Sequence, residues 1–80
     1  MTMKPNPSQV AAAGQWAAEW TAMRHAVTHN LRQQQLELRM QNADPQVVAH
    51  VAEARQFVIA ALRALETASK RHAQTLEARR

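Results

Sequence analysis

The sequence predicts an all-α fold, an antiparallel two-helix hairpin of coiled-coil-like character, and three observations carry that reading. Among 80 residues there are one Gly, three Pro, no Tyr and only 4% aromatic residues, while Ala, Gln, Arg and Glu, which favour helix over strand, are plentiful. Apolar residues recur in alternating steps of three and four on both sides of a single break, Gln41-Asn42-Ala43-Asp44-Pro45-Gln46. The two apolar stripes are also in phase across that break.

Residues 1–6 read as a flexible arm. A first helix then spans about 7–41, with Asn6 as N-cap, Pro7 at the first helical position and Gln9 placed to close a capping box. Its stripe runs through Ala13, Trp16, Trp20, Met23, Val27, Leu31, Gln34 and Leu38. Gly14 is its weak point, and the run Ala11-Ala12-Ala13-Gly14 leaves room for close approach of another helix.

The turn is expected at 42–45. Asp44 can accept from the free N–H groups that open a helix, and the ring of Pro45 keeps the residue before it out of the α region. The second helix, about 45–78, carries Val47, Val51, Ala54, Val58, Leu62, Leu65, Ser69, His72 and Leu76 on one stripe. In a hairpin Leu38 would face Val47, Val27 would face Val58, and Trp20 would face Leu65. Large residues then meet small ones in successive layers. The whole of 7–80 is read as one helical domain.

Such a hairpin is thin, and small domains bury proportionally little surface. Apolar residues also lie off the stripe; Phe57 and Ile59 flank Val58, making the apolar arc of the second helix too wide for one partner helix. The expectation is a chain completed to a bundle by self-association or by a partner, with Trp16, Trp20, Phe57 and Ile59 as candidate partner-binding residues. For Trp16 and Trp20 the first reading is ordinary core, and the alternative is that Trp16, with Ser69 and small residues opposite, anchors a partner. Gln34, as a lone polar stripe residue, could fix register.

Charge and composition narrow the function classes. The formal net charge is +4 with a pI near 11.2, and most of the excess lies towards the end of the second helix. Arg63, Lys70, Arg71, Arg79 and Arg80 are therefore candidate nucleic-acid or anion contacts. Against this, cations near a helix C-terminus complement its dipole, and Glu66 to Lys70 is a properly oriented i,i+4 pair. With no Cys there is no disulfide and no thiolate metal site. His25 and His29 are four apart, but no acidic or Cys cluster completes a site, so no metal is expected. No nucleophile–base set, phosphate-binding loop or carboxylate pair appears, so neither an enzyme, a cofactor nor a small-molecule substrate is expected. A bilayer span takes about 20 apolar residues, and no such run exists. The start, Met1-Thr2-Met3-Lys4-Pro5-Asn6-Pro7, lacks the apolar core of a secretory signal, which with the missing Cys leads to an expectation of cytoplasmic location.

From Arg32 to Leu65 the chain resembles the small helical-hairpin subunits of type III secretion needle chaperones. The resemblance is carried by Leu31-Arg32-Gln33-Gln34-Gln35-Leu36-Glu37-Leu38, by the turn closed with Asp44-Pro45, and by the Ala/Leu arm through Leu65. This chain is more basic and its arms are longer. The resemblance implies a cysteine-free subunit that helps a repeat-helical co-chaperone hold a needle subunit unpolymerised in the cytoplasm. RNA-binding hairpin dimers of the Rop kind offer an analogy of architecture. The expected function is thus a non-enzymatic protein-interaction module, a small assembly or secretion chaperone subunit binding a partner helix through an apolar face. The alternative is a small basic hairpin dimer that binds RNA or DNA.

Overall fold

The computed structural model describes residues 4–79. It shows two helices, α1 (Pro7–Met40) and α2 (Pro45–Ala78), packed antiparallel along their length. Met1 to Met3 of the expected arm, and Arg80, lie outside the described residues.

Local chemistry sets each boundary. Asn6 is extended; its side chain accepts from the backbone N–H of Gln9 at 2.8 Å, and Gln9 accepts from the backbone N–H of Asn6 at 2.9 Å. This closes the expected capping box over Pro7. Asp44 likewise accepts from the backbone N–H of Gln46 at 2.9 Å, ahead of Pro45.

The end of α1 has a device that the reading of Asp44-Pro45 did not foresee. Asn42 adopts a left-handed conformation (φ 54°), its N–H donates to the carbonyl of Arg39, and Ala43 donates to Leu38 at 2.9 Å. That is the Schellman pattern, which satisfies the last carbonyls of a helix and turns the chain sharply. Asn is one of the few residues besides Gly that adopts this conformation cheaply. Reversal is therefore complete within residues 41–44.

The contact line between the helices differs from the predicted stripes. On α1 the buried and half-buried positions are Val10, Ala13, Ala17, Trp20, Thr21, Arg24, Val27, Thr28, Leu31, Gln35 and Leu38. On α2 they include Val48, Val51, Arg55, Ile59, Leu62, Glu66, Ser69, Ala73 and Leu76. Trp16, Met23, Gln34, Val47, Ala54, Val58, Leu65 and His72, all placed in the seam from periodicity, are exposed. Ala13, Trp20, Val27, Leu31 and Leu38 of the first predicted stripe, and Val51, Leu62, Ser69 and Leu76 of the second, keep their expected places, while the rest of each stripe lies beside the partner helix. Polar pairs also take places in the seam, Arg24 against Glu66 and Arg55 against Gln35. Nothing lies within 4 Å of a Cβ built on Gly14, so that residue does not mediate the close approach expected of it.

Seam hydroxyls are satisfied within their own helix. Thr21 donates to the carbonyl of Ala17, Thr28 to that of Arg24, and the fully buried Ser69 to that of Glu66. Among the described residues the fully buried apolar set is Ala13, Ala17 and Leu62.

Three substitutions probe this local chemistry. Asn42→Val should destabilise the hairpin by about 1–2 kcal/mol through its left-handed φ, whereas Asn42→Gly should not. Gly14→Ala, with open space around it, should stabilise by about 1 kcal/mol. Thermal melts followed by circular dichroism read all three.

Candidate interaction surfaces

The hairpin presents two faces of opposite chemistry, and simple helix geometry explains why. Successive residues are about 100° apart, so the residue before a seam position lies to one side and the residue after it to the other. In an antiparallel pair of right-handed helices, the preceding residues of both helices fall on the same side.

Those preceding residues include the large exposed apolar ones, together with Glu19, Asn30, Gln34, Glu37, His50 and His72. Trp16 precedes Ala17, Met23 precedes Arg24, Val47 precedes Val48, Val58 precedes Ile59, and Leu65 precedes Glu66. All five are exposed: Trp16 by 44%, Met23 by 49% and Leu65 by 39%, for example. Ala54, Ala61 and Ala68 continue this face along α2. Trp20 lies half-buried at its inner edge, in a T-shaped contact with Trp16 at 6.4 Å. The Trp20 indole N–H is buried and finds no acceptor among the described residues. Leu36 and Met40 are also exposed but lie off this face on α1.

The following residues include four cations and two histidines, together with Ala18, Leu36, Ala49 and Ala60. His25 follows Arg24, His29 follows Thr28, Arg32 follows Leu31, Arg39 follows Leu38, Arg63 follows Leu62 and Lys70 follows Ser69. This assigns His25 and His29 to a solvated basic side. Among the described residues no group of three or more His, Cys, Asp or Glu gathers to hold a metal ion.

The candidate residues named from sequence fall into distinct places. Trp16 and Trp20 belong to the apolar face. Phe57, 68% exposed, stands at the outer margin of that face, about 100° round the helix from Val58. Ile59 does not join it: the residue is half-buried on the other side, lining a shallow groove with Gln35, Arg55, Gln56 and Arg63. The two residues that flank Val58 therefore do not make one docking side. Arg63 and Lys70 share the basic face, Arg71 is exposed on α2, and Arg79 lines an open cleft of about 470 Å³ at the hairpin's free end with Lys4, Asn6, Gln9 and His72. Arg80 lies outside the described residues. Met23, Val47, Val58 and Leu65 were legible as apolar repeats but were assigned to the seam.

Between the faces sits the one strongly perturbed group. Glu66 accepts from Arg24 Nε and, at 2.8 Å, from Lys70 Nζ. These two cationic donors, Arg24 foremost, hold its carboxyl down at about 2. Arg24 and Glu66 meet because each side chain leans towards its own helix N-terminus, and in an antiparallel pair those leans converge. Arg55 reaches Gln35 in the same way, at 2.8 Å.

No helix of the described residues is long and apolar enough to cross a membrane. Compared with known proteins, the chain matches no family model, no curated protein and no solved structure.

The depressed Glu66 carboxyl sets a pH window. Its ion pairs stabilise the hairpin fully above the ordinary carboxyl value of 4.5, and that contribution disappears as pH falls towards 2. Glu66→Gln should therefore melt below the wild type at pH 7, and the two melting curves should converge near pH 2. A gap that persists at pH 2 would assign Glu66 a packing role instead.

Proposed function

We propose that this chain is a non-enzymatic protein-interaction module, a small assembly or secretion chaperone subunit of the cytoplasm, which buries its apolar face against helices of another chain. The observation that carries this reading is the exposure of Trp16, Met23, Val47, Val58 and Leu65 on one side of a hairpin whose fully buried apolar residues, among those described, are Ala13, Ala17 and Leu62. Amphipathic helices dock through anchors spaced three, four and seven residues apart, and Trp16 to Met23 and Val58 to Leu65 are each seven apart. Exposed Trp adds disproportionate binding energy at such contacts.

A second reading, a small basic hairpin that binds nucleic acid, draws on the opposite face. Arg32, Arg39, Arg63 and Lys70 lie there on the same side of both helices, as a polyphosphate backbone would require. It ranks below the first because no aromatic platform or recognition helix accompanies the charge.

Immobilised chain incubated with native cell extract separates the two. Capture by the apolar face should survive a wash in about 1 M salt, where charges are screened within about 3 Å. Leu65→Asp and Phe57→Asp should each reduce it by more than about tenfold, or about 1.4 kcal/mol, with Lys70→Ala plus Arg71→Ala changing it little. Capture of RNA or DNA that falls log-linearly with salt, and that is lost with the paired basic changes but kept in Leu65→Asp, would overturn the apolar-face reading.

A further inference from the structure

We infer that the occupant of the apolar face is a second copy of this chain, docked with its turn against the free end of the first, so that two hairpins form an antiparallel four-helix bundle. This deepens the apolar-face reading by naming its partner.

Three observations support it. The first is area. A folded monomer of 9.0 kDa is expected to expose about 4,900 Å², whereas this chain exposes 6213 Å². The broad side of a molecule 60 × 17 × 12 Å in extent offers roughly 1,000 Å², against about 800 Å² that each partner of a standard interface buries. One further hairpin would therefore remove most of the excess.

The second is charge. Near the turn, Arg32, Arg39 and Arg55 cancel Glu37, Asp44 and Glu53, so the whole net charge of +4 lies in the free half of the hairpin. Two copies with turns at the same end would bring both basic halves together. Reversing one copy sets each basic half beside a neutral one and moves the two free ends about 50 Å apart, far beyond the screening length of about 8 Å.

The third is volume. The bulky residues of the face, Trp16, Trp20 and Met23, lie in the free half, and the smaller Val47 and Ala54 in the turn half. With turns together, all four indoles would crowd one half of the bundle. The reversed arrangement sets each Trp16 near the level of Ala54 in the other copy, which evens the layers. It is also a closed two-fold contact, in which one face serves both partners.

The test uses the full chain. Sedimentation at micromolar concentration should give twice the 9.0 kDa chain mass, and helicity should fall on dilution, as it does when folding and association are linked. The absence of native Cys allows a single spin label at the exposed Gln46→Cys. Its partner distance by pulsed electron resonance should be about 50 Å, one helix length; turns at the same end would give under about 20 Å, set by neighbouring helix axes about 10 Å apart. A monomer, or a dimer with the short distance, overturns the proposal. A monomer that still captures a protein from extract, in a manner lost with Leu65→Asp, would leave the apolar-face reading standing and refute only the identity of the occupant.

Discussion

Two helices laid side by side touch along one line, and every residue off that line faces solvent. Here the line mixes small and polar side chains with larger apolar ones: Ala13, Ala17 and Ser69 allow approach, Arg24 pairs with Glu66 and Gln35 with Arg55, and Val27, Leu31, Ile59 and Leu62 lie along it as well. A buried ion pair contributes little net stability, because desolvation offsets most of the attraction, yet breaking one is costly. The polar pairs of the seam therefore specify how the helices lie without supplying much energy to hold them. A second set of large apolar residues, Trp16, Met23, Val47, Val58 and Leu65, stands to one side of it.

That division has an electrostatic counterpart. Glu66 joins a residue of α1 to a residue of its own helix, drawing Arg24 into the seam and Lys70 to its basic edge. The apolar side is left without formal charge on Trp16, Met23, Val47, Val58 and Leu65, while Arg32, Arg39, Arg63 and Lys70 collect opposite. A chain with this cross-section can associate through one side while its other side stays hydrated, which limits uncontrolled aggregation of the exposed stripe.

The hairpin itself was legible in the sequence, since Asn6-Pro7-Ser8-Gln9 and Asp44-Pro45 are start signals whose geometry is local. Both helix ends fall within a residue of their expected places. What periodicity could not reveal was azimuth. A stripe such as Trp16, Met23 or Val58, Leu65 says which side of a helix avoids water, not which neighbour covers it. Ranking positions by hydrophobicity alone passed over Arg24, Gln35, Arg55 and Glu66, whose long side chains satisfy one another only once the helices are paired. The same oversight grouped Phe57 with Ile59, although residues two apart on a helix point almost oppositely. The left-handed Asn42 was hidden by the stronger signal of the proline beside it.

Because Thr21, Thr28 and Ser69 each return their hydroxyl to a carbonyl of their own helix, they are indifferent to what lies across the seam. Alignment of the two helices then rests on two fasteners, Arg24 to Glu66 and Gln35 to Arg55, about 16 Å apart along the axis. Two fixed points prevent both sliding and pivoting; one alone prevents only sliding. With either fastener undone, α2 becomes a lever hinged at the other, free to swing its alanines across the smooth remainder of the contact. The short turn would still hold the ends together, so such a chain would keep its helices while losing the alignment between them.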